Sequence, residues 1–256
     1  MENKTLLYWN SFKKNIEEVA FNKVLDLNLL YGLDRQKDLI QENTKNFIDG
    51  LSYNHALLWG VRGSGKSSLV RGIVQKFASE YNNFVTLEVN SDDISDLSNI
   101  FINFEFKKNI ILFIDDLSFE QNDRRYIQFK SFLEGSFSNS KYNFLVYVTS
   151  NRRHLMKRDM IDNERSSAIS QDEGVEEKVS LSDRFGLWVS FHNLSKDDFI
   201  MIVKNYFDHY KLQFNNDIED LAIKWIFARG NRTGRSAYQF FKDYCAKNKI
   251  KISELL

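Results

Sequence analysis

Gly60-Val61-Arg62-Gly63-Ser64-Gly65-Lys66-Ser67 decides the reading of this chain. The octet fits G-x-x-x-x-G-K-[ST] at every defined position, and the chemistry of a phosphate cradle explains the pattern. Backbone N–H groups must approach a triphosphate closely, which favours glycine at the turns. A helix starting near Lys66 adds the positive end of its dipole. The lysine is expected to reach the β and γ phosphates, and the Ser67 hydroxyl to help hold Mg²⁺, whose other ligands come from phosphate oxygens, water and a carboxylate. Ser68, next in the chain, is counted with the loop. The flanks agree: Ala56-Leu57-Leu58-Trp59 is a short apolar strand running straight into glycine, and the residues from about Ser67 to Phe77 have amphipathic helical spacing. The stretch predicts a site for a nucleoside triphosphate, ATP with magnesium.

A second piece lies further along. Ile110-Ile111-Leu112-Phe113-Ile114-Asp115-Asp116 is an apolar strand ending in two carboxylates. In an open α/β sheet ligands collect at the carboxyl ends of the strands, so Asp115 is the expected magnesium ligand. Asp116 is favoured to orient or deprotonate an attacking water; Glu120, a turn later, is the alternative. On its own such a strand end is weak evidence, because acidic residues also follow buried strands as helix caps.

The surrounding pattern predicts the fold class. Ala56–Trp59, Phe84–Val89, Ile110–Ile114 and Phe144–Thr149 read as strands separated by segments long enough for crossover helices, which argues a parallel α/β sheet flanked by helices. Ahead of them, Leu6–Leu25 and Asp34–Phe47 recur at helical spacing and predict two helices. After Phe191, three helical stretches follow without a strand: Lys196–Tyr210, Ile218–Ala228 and Ser236–Lys247. Ser195, with Asp198 three residues on, is the expected cap of the first. The expected organisation is N-terminal helices over 1–50, a nucleotide-binding core over 51–193 and a small all-helical lid over 194–256. Residues 159–180, polar and acidic, read as a surface insertion.

Composition narrows the function classes. The 256 residues carry 35 Lys plus Arg and 35 Asp plus Glu, so overall charge points to neither nucleic acid nor an anionic surface. The single cysteine, Cys245, excludes an internal disulfide framework. No apolar run approaches the roughly 20 residues that span a bilayer, and no membrane partner is expected. The expected compartment is the cytoplasm. His55, His154, His192 and His209 lack metal-ligand spacing, so no zinc site is expected.

With these pieces placed, the chain resembles the AAA+ P-loop ATPases, and most closely a bacterial family of AAA-type ATP-binding proteins known as a domain of unknown function. Leu30-Tyr31-Gly32-Leu33-Asp34-Arg35-Gln36, Leu58 through Leu69, and Ile114-Asp115-Asp116-Leu117-Ser118-Phe119-Glu120 carry the likeness. So do Thr149-Ser150-Asn151-Arg152-Arg153-His154-Leu155-Met156, Glu176-Glu177-Lys178, Leu181-Ser182-Asp183-Arg184-Phe185-Gly186 and Arg229-Gly230-Asn231-Arg232-Thr233-Gly234-Arg235. The resemblance implies that Asn151 is the polar sensor that positions water near the γ phosphate. It implies that Arg184, as in replication-initiator-type members, reaches a neighbouring subunit's ATP, the alternative being an ion pair with a local carboxylate such as Asp183 or Glu177. It also implies that Arg235 senses the γ phosphate from the lid, with Arg232 as competitor. A homo-oligomer on ATP binding follows.

The departures limit what the likeness implies. The strand ends Asp-Asp rather than the commoner Asp-Glu, which argues for binding more strongly than for fast turnover. No aromatic-hydrophobic-glycine pore loop stands out between Val89 and Phe104, and an appended helix-turn-helix is not expected. Arg152, Arg153, His154, Lys157 and Arg158 form the one dense basic patch, read as a solvated loop or as a contact to phosphate or an acidic partner. The expected function is an oligomerising ATPase whose nucleotide state changes the angle between core and lid, acting on an unidentified protein or nucleic-acid client. A nucleotide-dependent switch with negligible turnover is the alternative. A small-molecule kinase fits less well, given Asn151 and the terminal helices.

Overall fold

The computed structural model describes residues 5–20, 26–106, 108–120, 123–134, 142–155 and 181–252. The expected insertion at 159–180, Glu176 to Lys178, and the basic residues Lys157 and Arg158 lie outside them. Seven strands form one sheet: β1 (Thr5–Asn10), β2 (Asn15–Ala20), β3 (Ala56–Gly60), β4 (Phe84–Asn90), β5 (Asn109–Asp115), β6 (Phe144–Ser150) and β7 (Leu187–Phe191), in the order β2-β1-β4-β5-β6-β3-β7. β1 pairs parallel with β4, β4 with β5, β5 with β6 and β6 with β3, while β1 and β2 pair antiparallel. The helices are α1 (Asp34–Ile48), α2 (Lys66–Glu80), α3 (Leu97–Asn103), α4 (Arg124–Leu133), α5 (Lys196–His209), α6 (Asn216–Arg229) and α7 (Gly234–Lys247). Among the described residues no helix is long and apolar enough to cross a membrane.

The chain divides into two compact units, neither continuous in sequence. One takes in residues 1–21, 43–59 and 78–189; the other takes in 22–42, 60–77 and 190–256. The first holds most of the sheet. β5 is buried on both faces from Ile110 to Ile114, which is why it reads as an unbroken apolar run. Ile100 and Phe101 of α3, and Phe129 and Phe132 of α4, pack into the same core as Leu87, Leu112 and Val146. The second unit has its own core, in which Phe199, Val203 and Phe207 of α5 meet Ala222 of α6 and Phe241 of α7. Ser195 and Asp198 form a reciprocal capping box at the start of α5, as their spacing predicts.

The expected helix over Leu6–Leu25 is corrected: its described part is the β1–β2 hairpin. Its apolar residues do recur near helical spacing. Pairing of Leu6, Leu7 and Tyr8 with Thr86, Leu87 and Glu88 of β4 overrides that local signal, as tertiary context commonly does. Trp9 is buried in the hairpin and its indole N–H donates to Asp96 Oδ2 at 3.0 Å. The sequence pattern does not anticipate β7 either; five residues without clean alternation give too little to read.

His55, just ahead of β3, links the fold to pH. Its Nδ1 accepts from the backbone N–H of Val146 at 3.2 Å, and its ring stacks on Phe144. Burial lowers its pKa from the ordinary 6.5 to about 4. Accepting at Nδ1 requires that this nitrogen carry no proton, so protonation both charges a buried ring and breaks the bond. The folded-state value is the depressed one. Stability is therefore unaffected by this group above pH 6.5 and falls as pH drops from 6.5 towards 4, by up to about 3 kcal/mol. We expect His55→Gln to remove most of that slope in urea titrations run between pH 7 and pH 4. An unchanged slope would place the dependence elsewhere.

Candidate nucleotide site

The loop after β3 lies in the second unit, and its shape follows from its glycines. Gly60, Gly63 and Gly65 all have positive φ, at 132°, 79° and 99°. Gly60 is also sterically required, and Gly63 is tightly packed. A Cβ on Gly60 would stand 1.9 Å from the Phe191 carbonyl oxygen, and one on Gly63 would stand 3.0 Å from Arg235 Cβ. α2 opens at Lys66, as the phosphate-cradle pattern requires. The Lys66 ammonium is buried in the loop, donating to the carbonyl oxygens of Gly60 at 2.8 Å and Val61 at 2.9 Å. The Val61 N–H donates to Phe191 O and the Ser64 N–H to Val61 O, so these two amides are committed within the unit. The Ser64 hydroxyl is buried without a partner.

The C-terminal helices meet this loop within the same unit. Thr233 caps α7, its hydroxyl accepting from the Ser236 N–H, and the Arg235 N–H donates to Gly63 O at 3.1 Å. A pocket of about 400 Å³ is lined by Val61 and Arg62 from the loop, by Asn193, and by residues between Gly230 and Gln239 that include Arg232, Arg235 and Ser236. Among the described residues no carboxylate lines it. Among the described residues none of its three arginines has an ion-pair partner. Arg232 and Arg235, alternatives in sequence, thus share one pocket.

The strand-end carboxylates belong to the first unit. Asp115 closes β5, and Asp116 follows in the left-handed region at φ 53°. The register that pairs Ile114 with Val148 sets Thr149 of β6 against them. Thr149 Oγ1 donates to Asp115 Oδ1 at 2.5 Å and accepts the Asp116 N–H at 2.9 Å, while its carbonyl accepts the Leu117 N–H at 2.8 Å. The Asn151 amide donates to Asp116 Oδ1. The structure therefore brings Asp115, Asp116 and Asn151 together and adds Thr149, which sequence reasoning missed. A polar residue closing an apolar strand was the available signal. Glu120 instead faces Arg152, 3.4 Å away.

Two other expectations fall outside these clusters. Arg184, in the turn Ser182–Arg184, donates to Glu134 Oε1 at 2.6 Å, with both side chains about half exposed. Its partner is a local carboxylate, though neither of those the sequence suggested. The Arg153 guanidinium lies over Trp59 and Trp188, 5.4 and 6.0 Å from the ring centres. That part of the basic patch is engaged with its own unit.

Against solved structures the chain is similar to the Thermotoga maritima RuvB Holliday junction branch migration motor, with TM-score 0.53 and 19% identity over 85% of this chain and 64% of that one. It is also similar to a point mutant of that RuvB, with TM-score 0.55 and 17% identity over 89% of this chain and 67% of that one. AMPPCP-bound DnaA from Aquifex aeolicus matches with TM-score 0.50 and 15% identity over 86% of this chain and 63% of that one. The chain thus spans about two thirds of the length of these neighbours. The likeness, with the phosphate-loop sequence and the parallel sheet, defines the fold as that of the AAA+ P-loop ATPases. No curated protein matches the chain. A family model matches residues 2–248, and the chain belongs to that family, described as "Protein of unknown function (DUF815)".

Proposed function

We propose that this chain binds Mg-ATP through the loop Gly60–Ser67 and hydrolyses it, and that nucleotide state controls its grip on a macromolecular partner. One observation carries the reading. A loop containing Lys66 and a pocket with Arg62, Arg232 and Arg235 but no carboxylate lie within one compact unit. The like charges of the three arginines repel one another, and a polyanion of the size of a triphosphate removes that cost. Assembly into a homo-oligomer and a protein or nucleic-acid client belong to the same proposal.

The residues present fit magnesium as a companion of the nucleotide. Asp115, in the first unit, is a hard oxygen donor at a strand end; Ser67, in the second, carries the hydroxyl that the phosphate-loop pattern assigns to the ion. Among the described residues no three His, Cys, Asp or Glu side chains gather to hold a cation by themselves. Phosphate oxygens and water would complete the shell, as Mg²⁺ prefers. When bound, the ion supplies charge neutralisation at the transferring phosphoryl group. Asp116 would accept the proton of the attacking water, held in orientation by the Asn151 amide. The same contact favours a second reading, a switch with negligible turnover: one oxygen of a short carboxylate is already occupied.

Substitution of the carboxylates separates the two. We expect Asp116→Asn to keep ATP bound while turnover falls about 10²- to 10⁴-fold, the usual worth of a general base. Asp115→Ala should abolish the magnesium dependence of ATP affinity. Calorimetric titrations with and without Mg²⁺, alongside phosphate release, read both. Turnover stopped by Glu120→Gln alone would reverse the assignment. No measurable turnover in the wild type, with tight ATP binding, would leave the switch.

A further inference from the structure

We propose that Thr149 is the positioning residue of the strand-end carboxylates, holding Asp115 and Asp116 in the arrangement that a nucleotide-bound cation meets. The inference rests on the Mg-ATP reading above and adds to it a residue outside the expected set. Thr149 is 1% exposed, and it bonds three successive residues: Asp115 through its hydroxyl proton, Asp116 through a hydroxyl lone pair, and Leu117 through its carbonyl.

The chemistry of the hydroxyl fixes the direction of each bond. The backbone N–H of Asp116 can only donate, so Oγ1 accepts there. Threonine has one hydroxyl proton, and it therefore goes to Asp115 Oδ1, which must accept. One oxygen of Asp115 is oriented by this bond. At the same time the N–H bond stabilises Asp116 in left-handed backbone, a conformation disfavoured outside glycine. A neighbouring bond closes the clamp: the Ser150 hydroxyl donates to Leu117 O at 2.7 Å. Serine at 149 would preserve both hydroxyl bonds. Valine would preserve shape and backbone bonds but neither hydroxyl bond, leaving the Asp116 N–H without its acceptor. Thr149 touches no reacting atom in this scheme, so its effect is on geometry.

Outer-shell partners of metal-binding groups are typically worth about 10- to 100-fold in metal affinity or activity. We therefore expect Thr149→Val to raise the Mg²⁺ concentration needed for half-maximal enhancement of ATP binding by about that factor, while ATP affinity without Mg²⁺ holds. Thr149→Ser should restore the wild-type requirement. A second readout needs no nucleotide: amide hydrogen exchange at Asp116, followed by NMR, should quicken in Thr149→Val and slow again in Thr149→Ser. Should the valine variant not fold, Thr149→Ala makes the same comparison with room for a water. A folded variant with wild-type magnesium requirement and unchanged Asp116 exchange overturns the proposal, as does a serine variant as impaired as the valine one. A wild-type protein that binds no Mg-ATP overturns the site reading itself, and this proposal with it.

Discussion

Lys66→Ala is expected to lower ATP affinity at least about 100-fold, because hydrogen bonds from a charged donor are worth about 1.5–3 kcal/mol each and this ammonium is the cation we propose to meet the β and γ phosphates. In the structure it donates to Gly60 O and Val61 O, so a nucleotide must draw it away from two loop carbonyls. Alanine removes those bonds as well, and the loop's own integrity has to be measured beside affinity. Thermal unfolding reads both at once. A ligand at about 100 times its Kd stabilises by about 2.7 kcal/mol, which for a chain of this size raises Tm by about 5–10 °C. The wild type should show that rise on adding Mg-ATP. Lys66→Ala should melt cooperatively near the wild-type apo temperature and show no rise. A full ATP-induced shift in the variant would remove the phosphate-loop reading.

That loop was legible because its requirements are local: eight consecutive residues carry the turn, the donors and the cation. β3, β5 and β6 were legible for a related reason, since largely buried strands read as apolar runs, closed in β3 by glycine and in β5 by aspartate. What could not be read depends on distant pairing. Leu6 to Tyr8 become strand only against Thr86 to Glu88, and a window around residue 10 contains nothing of that partner. Thr149 likewise gains its role from the β5–β6 register, which no pattern within either strand specifies. Arg232 and Arg235 could not be separated in sequence, and the pocket explains why: the turn before α7 and its first residues deliver both side chains to one place. Arg184 was read from resemblance alone, and its bond to Glu134, 50 residues earlier, comes from the fold.

Arg184→Ala is expected to leave ATP affinity near wild type and to lower turnover by about 10³- to 10⁵-fold, the range in phosphoryl-transfer enzymes that use an arginine finger. The ion pair with Glu134 does not stand in the way. Both partners are about half exposed, and such surface pairs contribute about 0.2–1 kcal/mol, whereas a finger effect of 10³ or more corresponds to about 4 kcal/mol or more. An arginine held this weakly can leave Glu134 when a better anion arrives. If the anion is a neighbouring subunit's ATP, a monomer has an incomplete site, and specific activity should rise with protein concentration as subunits associate. Glu134→Gln should then be neutral or mildly activating, because it releases Arg184 without removing it. Mixing is the decisive measurement. Arg184→Ala and Lys66→Ala subunits are each inactive alone, but a mixed assembly can set an intact phosphate loop against an intact arginine and recover part of the activity. Recovery requires action across subunits. Flat activity per subunit across dilution to monomer, or no recovery where sedimentation shows mixed assemblies, would confine Arg184 to its bond with Glu134. The nucleotide-dependent switch would then be the better account of the chain.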